Sequence, residues 1–73
     1  MDINSPVVFE GDYTFKFKGV YVTVYWTVAH RWCVRVLITR NGRSKFLYTD
    51  PVENDTYRSV ILRATGRKRL WAQ

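Results

Sequence analysis

The sequence predicts an α+β fold: an antiparallel β-meander of four or five strands with one C-terminal helix packed on one face of the sheet. Three observations support it. Aromatic and β-branched residues alternate with polar ones between residues 13 and 49, two turn-forming dipeptides interrupt them, and a helix-capping pattern follows. With 73 residues the chain has room for a single small domain, and residues 1–6 and 67–73 are predicted to be tails.

The first predicted hairpin turns at Lys18-Gly19. A two-residue loop at this point puts apolar residues on one face of the sheet, because side chains alternate along a strand. The predicted pairs are Phe17 with Val20, Phe15 with Val22, and Tyr13 with Val24. Residues 7–9 are apolar and are an alternative fifth strand at the edge of the sheet.

The second predicted hairpin turns at Asn41-Gly42, since both central residues of a type I′ turn need positive φ. It pairs Val36 with Leu47. For the link between the hairpins, a two-residue loop would put Arg35 on the apolar face. A three-residue loop aligns apolar residues instead, and we therefore predict the pairs Val28 with Val34, Trp26 with Val36, and Val24 with Ile38.

A helix is predicted from Asp50 onward. Asp50 is the expected N-cap, Pro51 suits the first helical position, and Glu53 completes an acidic capping pattern. Gly66 is the expected C-terminal stop. A fifth strand at residues 59–62 remains the alternative. The apolar stripe of the helix comprises Val52, Thr56, Tyr57, Val60, Ile61 and Ala64.

The charge is strongly basic and unevenly distributed. Twelve Lys and Arg residues stand against six Asp and Glu, for a formal net charge of +6. Residues 13–49 contain no carboxylate at all. A surface with one sign of charge attracts polyanions or an acidic protein.

The predicted pairing gives the sheet two unlike faces. One is apolar and is predicted to lie under the helix; the other mixes rings, cations and hydroxyls. Rings stack on bases and cations meet phosphates, so the second face is a candidate binding surface, although the same rings could simply brace the sheet as cross-strand pairs. The predicted partner- or nucleic-acid-binding residues are Lys16, Tyr21, Tyr25, Arg35, Arg40, Arg43, Lys45, Phe46, Tyr48, Arg67, Lys68 and Arg69.

The residues that carry catalysis or bind metals are scarce, and we predict a non-enzymatic protein without cofactor or metal. Cys33 and His30 are too few for a structural zinc site, and no carboxylate lies near His30 in sequence. The glycines are isolated and form no phosphate-binding loop. The sequence shows no apolar run long enough to span a membrane and no signal peptide, so a cytoplasmic location is expected.

A basic, strand-rich domain of this size resembles small phage-encoded transcription regulators that bind bacterial RNA polymerase. The resemblance is carried by the basic sheet between Lys16 and Lys45, the Asn41-Gly42 tip flanked by Arg40 and Arg43, and the Arg67-Lys68-Arg69 end. It implies a protein partner, either RNA polymerase or an associated transcription factor, in the host cell cytoplasm. It further implies inhibition of initiation or antitermination. The alternative is a sequence-tolerant single-stranded DNA- or RNA-binding protein that uses the same sheet face.

Overall fold

The computed structural model describes residues 2–38 and 42–66 of the chain, and these form an α+β fold. Four strands make one antiparallel sheet in the order β1-β2-β3-β4, and a single helix packs against it, as predicted. The elements are β1 (Asp12–Phe17), β2 (Val20–Trp26), β3 (Trp32–Ile38), β4 (Arg43–Thr49) and α1 (Tyr57–Thr65).

The turn between β1 and β2 has the predicted position and register. Lys18 and Gly19 have φ values of 51° and 82°, the positive values that a two-residue hairpin loop of this kind requires. Phe17 pairs with Val20, and all the other predicted pairs of this hairpin follow from it. The turn dipeptide therefore fixes which residues of β1 and β2 face the helix.

The predicted link between β2 and β3 is wrong in register. Trp26 pairs with Trp32 rather than with Val36, so the loop comprises residues 27–31. Thr27 closes this loop, because its backbone N–H and its hydroxyl both donate to the carbonyl oxygen of Arg31, at 3.0 and 3.1 Å. A five-residue loop thus replaces the predicted three-residue one.

Trp32 and Val28 exchange the environments that the sequence predicts for them. Trp32, which the predicted pair of Val28 with Val34 places in the loop between the strands, is fully buried at the start of β3. Val28, predicted to lie in the core, is 99% exposed. Burial of the larger indole removes more apolar surface from water than burial of an isopropyl group, which favours the observed register.

The register between β3 and β4 also differs from the prediction. Val34 pairs with Leu47 and Val36 with Lys45, so the predicted pair of Val36 with Leu47 is wrong by two residues. Asn41, on which the predicted turn depends, lies outside the described residues. Both register errors are even numbers of residues, so every side chain that lies in a strand stays on the face that alternation assigns to it, whereas Val28 leaves the sheet.

The helix is confirmed, but it begins later than predicted. Its N-cap is Thr56, whose hydroxyl oxygen accepts a hydrogen bond from the backbone N–H of Ser59 at 3.2 Å. Asp50 is not the cap, and Val52 is 53% exposed outside the helix. Gly66 ends the helix as predicted, with φ of 66° and its N–H donating to Leu62.

The N-terminal segment contacts the start of α1 instead of forming a tail or an edge strand. The carbonyl oxygens of Ile3 and Ser5 accept hydrogen bonds from the N–H groups of Arg58 and Tyr57, at 2.7 and 3.2 Å. These are N–H groups that the first turn of a helix leaves without intrahelical partners. Residues 7–9 form no strand, and the one bridge in this segment joins Pro6 to Thr56.

The hydrophobic core lies between α1 and the helix-side face of the sheet. Tyr57, Val60 and Ile61 supply the buried stripe of the helix, as predicted. Against them pack the fully buried sheet residues Val22, Val24, Trp32, Val34 and Val36, with Phe17 nearly buried at 6%.

Candidate binding site

The sheet face opposite α1 is the candidate site, and we call it the open face. Cross-strand pairing arranges its side chains in three rows that run from β1 to β4. The first row is Asp12, Tyr25, Cys33 and Tyr48; the second is Thr14, Thr23, Arg35 and Phe46; the third is Lys16, Tyr21, Leu37 and Ser44.

Large rings of the open face are exposed to solvent. Tyr21, Phe46 and Tyr48 are 43%, 50% and 52% exposed, Arg35 is exposed and Tyr25 is half-buried. No other part of the described chain covers these three rings fully. Three exposed rings on one side of a small sheet are more than the scattered apolar exposure of an ordinary surface, and such groupings mark interaction sites.

Two cations lie over rings of this face. The Lys16 Nζ is 6.0 Å from the centroid of the Tyr21 ring, and the guanidinium carbon of Arg31 is 5.6 Å from that of Tyr48. Arg31 is also 3.9 Å from the carboxylate of Asp50, and both side chains are exposed. Sequence reasoning missed Arg31, because its approach to Tyr48 depends on the length of the β2–β3 loop.

Tyr25 and Cys33 form the least exposed part of the open face. Cys33 is fully buried between its cross-strand neighbours Tyr25 and Tyr48. The interaction with the Cys33 side chain, and then burial, raise the pKa of Tyr25 to about 12. Tyr25 is protonated at neutral pH, as a tyrosine with the ordinary pKa of 10.0 also is, and its hydroxyl can both donate and accept a hydrogen bond.

A shallow depression of about 420 Å³ opens beside Tyr25. Its polar walls include the carboxylate of Asp12 and the guanidinium of Arg35, so it carries one charge of each sign. Such a depression suits a partner group that is itself polar. The other lining residues are Gly11, Thr23, Tyr25 and Trp26.

Two predicted site residues, Arg43 and Lys45, are not on the open face. Arg43 pairs with Ile38 and Lys45 with Val36, and these partners point toward the helix side of the sheet. Strand alternation therefore directs both cations away from the exposed rings, although both are exposed. The prediction that Arg43 and Lys45 belong to the same binding surface as the rings is wrong. Four further predicted residues lie outside the described part of the chain: Arg40, Arg67, Lys68 and Arg69.

The best-formed ion pair of the described residues, between Arg63 and Asp55, lies away from the open face. Arg63 donates to both carboxylate oxygens of Asp55, at 2.9 and 3.0 Å, and to the Thr49 hydroxyl at 3.0 Å. Burial alone would raise the pKa of Asp55, but the hydrogen bonds from Arg63 and the Val52 backbone N–H outweigh it, and the pKa is lowered. This pair joins α1 to the segment that follows β4, which is a structural role.

Groups of the kind that support catalysis are not assembled in the described residues. His30 packs against the ring of Trp26, with centroids 6.1 Å apart, and Cys33 is buried in the sheet. Across residues 2–38 and 42–66, no three His, Cys, Asp or Glu side chains form a metal-binding group. In the same part of the chain, no helix has the length and apolar character that crossing a membrane requires.

Comparison with known proteins gives no match: no family model, no curated protein and no solved structure is similar to this chain. The open face must therefore be interpreted from its own geometry and chemistry.

Proposed function

We propose that the protein is a non-enzymatic transcription regulator that binds bacterial RNA polymerase through the open face. The observation that carries the proposal is the set of exposed rings, Tyr21, Phe46 and Tyr48, held on a sheet with Arg35 among them. Tyrosine and arginine dominate the residues that contribute most to binding at protein interfaces. The strands fix the backbone positions of these residues before a partner binds, so binding requires no ordering of the backbone there.

The charge of the open face favours a protein partner over a nucleic acid. Of its three rows, only Lys16 and Arg35 supply positive charge, and Asp12 supplies a negative charge at one corner. Binding to a phosphate backbone depends on many protein cations, which displace counterions from the nucleic acid.

The choice of RNA polymerase among protein partners rests on the resemblance in size, charge and strand content to phage-encoded regulators.

The proposed mechanism is occupancy. The bound protein blocks a channel of the polymerase or holds one of its conformations, which inhibits initiation or promotes antitermination, and no covalent bond is made or broken. Differential affinity for two states of the polymerase is the thermodynamic requirement for such an effect. The neutral hydroxyl of Tyr25 and the guanidinium of Arg35 supply hydrogen bonds that fix the orientation of the partner.

One observation supports the second candidate function, sequence-tolerant binding of single-stranded DNA or RNA. Lys16 lies 6.0 Å from the exposed ring of Tyr21, the combination of cation and stacking ring that single-strand binders use. Stacking contributes about 1–3 kcal/mol per base.

The test is co-purification of polymerase subunits from a bacterial lysate, followed by binding to purified polymerase. We expect the double variant Phe46→Ala/Tyr48→Ala to bind at least about tenfold more weakly than the unmodified protein. Leu62→Ala is the matched control, because Leu62 is an exposed apolar residue on α1, on the other side of the sheet. Failure to recover polymerase, or equal binding by the double variant, contradicts the proposal.

The second candidate is separated from the first by titrating a labelled single-stranded oligonucleotide at low salt. Binding that falls steeply with added salt and is lost in Lys16→Ala/Tyr21→Ala would favour the nucleic acid. Absence of micromolar binding would exclude it.

A further inference from the structure

One end of the sheet carries a group of exposed cations that, apart from Lys16, the proposed function does not use. Because the strands are antiparallel, the β1–β2 turn and the start of β4 lie at the same end of the sheet. The first turn of α1 reaches this end as well, through the contact of Arg58 with Phe17. We call this group the turn-end patch: Lys18 lies in the turn and Arg58 on α1, Lys16 projects from the open face, and Arg43 and Lys45 project from the helix side of β4, all of them exposed.

Contacts within the patch bring cations from different elements together. The Nζ of Lys18, in the β1–β2 turn, is 5.4 Å from the centroid of the Phe17 ring. The guanidinium carbon of Arg58, on α1, is 6.0 Å from the same centroid. Two positive groups that are 40 residues apart in sequence therefore flank one ring, which sequence patterning could not indicate.

Within residues 2–38 and 42–66, no carboxylate forms an ion pair with a patch cation. The ion pairs of the described residues join Arg31 to Asp50 and Arg63 to Asp55, so none of the five patch cations has a carboxylate within 4.0 Å. Asp2 belongs to the segment that contacts α1. It instead accepts hydrogen bonds from the backbone N–H of Asn4 and the hydroxyl of Ser5.

The opposite end of the sheet has an excess of negative charge, although Arg31 also lies there, 3.9 Å from the Asp50 carboxylate. Asp12 begins β1, Glu10 precedes it, and Asp50 follows β4. The net charge of the molecule therefore changes sign along the strand direction. A polyanion is attracted to one end of the sheet and repelled from the other.

We propose that the turn-end patch is a separate binding surface for the phosphate backbone of double-stranded DNA. Four strands at about 4.8 Å spacing place β1 and β4 about 14 Å apart, which is comparable with the roughly 12 Å width of the DNA major groove between its two backbones. Cations at both edges of the sheet can therefore meet phosphates on both sides of the groove.

The scarcity of exposed rings in the patch favours a duplex over a single strand. Phe17 is only 6% exposed beneath Lys18 and Arg58. Among the described residues, the exposed rings that adjoin patch cations in the strands are Tyr21, paired with Lys16, and Phe46, next to Lys45. Single-strand binders place several rings among their cations, whereas duplex phosphates need only positive charge and donors. The two arginines of the patch supply planar donors that suit phosphate oxygens.

The test is fluorescence anisotropy with a labelled duplex of arbitrary sequence between about 50 and 200 mM salt, the range over which phosphate contacts change affinity strongly. If all five cations contact phosphates, log affinity falls against log salt with a slope of about −4.5. We expect Lys18→Gln/Arg58→Gln to make this slope shallower by about 2 and to weaken binding to every sequence alike.

The matched control is Arg31→Gln/Arg35→Gln, which removes the same charge outside the patch. Retention of the unmodified slope by this control supports the proposal, and equal losses in both double variants would show an effect of net charge alone. Competition by polyglutamate as strong as that by unlabelled duplex would identify an acidic protein segment as the occupant instead. These results are distinct from polymerase binding, which depends on Phe46 and Tyr48.

Discussion

The two faces of the sheet are built from the same strands but differ in their exposure to solvent. On the covered face, Val22, Val34 and Val36 are fully buried under α1. On the open face, their neighbours in the chain, Tyr21 and Arg35, are exposed. The comparison teaches that strand alternation separates buried from exposed side chains at single-residue spacing, and the proposed function assigns binding to the exposed ones. Substitutions on one face should change folding, and those on the other should change binding.

The largest effect on stability is expected from Trp32→Ala on the covered face. Trp32 is fully buried and packs at 4.7 Å from Trp26 and 5.1 Å from Phe9, measured between ring centroids. Removing it should lower the free energy of unfolding by about 3–5 kcal/mol, and the melting temperature by more than about 10 °C. Thermal unfolding followed by circular dichroism measures this. A loss below about 1 kcal/mol would contradict the burial of this indole.

A smaller loss is expected when the ion pair between α1 and the post-β4 segment is broken. Asp55→Asn leaves Arg63 without its carboxylate, and we expect a loss of about 2 kcal/mol, less than for a fully buried pair because the Arg63 side chain is 30% exposed. The matched control is Asp50→Asn, whose carboxylate is 84% exposed and should contribute less than about 1 kcal/mol. Urea unfolding of both variants makes the comparison.

The same pair predicts how stability depends on pH. The folded protein lowers the pKa of Asp55 below its ordinary value of 3.8, so the unfolded chain takes up this proton first as the pH falls. The contribution of Asp55 is therefore fully present above that value and is lost below it. Asp55→Asn should abolish this part of the acid sensitivity, as measured by unfolding midpoints at a series of acidic pH values.

A still smaller effect on stability is expected from Phe46→Ala on the open face. Its ring is 50% exposed, so truncation should cost less than about 1 kcal/mol while weakening partner binding. Measuring melting temperature and polymerase affinity on one preparation separates the two properties. A large loss of stability would mean that the ring braces the sheet instead of serving a partner.

The smallest effect is expected from Val28→Asp. Val28 is 99% exposed in the β2–β3 loop, so a charge there should change stability by less than about 0.5 kcal/mol. In the register that the sequence predicts, the same charge would enter the core. Equilibrium unfolding therefore distinguishes the two registers directly.

The fold class and the membership of each face were predictable because both depend on alternation and on one turn dipeptide. Lys18-Gly19 fixes the first hairpin, and later register errors by even numbers of residues do not exchange the faces. Alternation also places Lys45 on the same face as Leu47. The wrong prediction of Lys45 as a residue of the open face could therefore have been avoided from the sequence.

Loop length and helix start were not predictable from local patterns. The β2–β3 loop is closed by hydrogen bonds between Thr27 and Arg31, and many polar residues could do the same. Asp50 and Thr56 are both good N-cap residues. Thr56 is selected by tertiary contacts: Asp55 binds Arg63 beside it, and the N-terminal segment docks on the first turn of α1.

Cys33 gives the open face an internal chemical probe. It is the sole thiol of the chain and has no solvent exposure between Tyr25 and Tyr48. A thiol reagent can reach it only when these rings swing aside or the sheet opens, so the labelling rate measures that motion directly. A partner bound over the rings would slow the labelling of Cys33. The labelling rate of the unmodified protein would therefore measure the fraction of bound protein, without an attached dye.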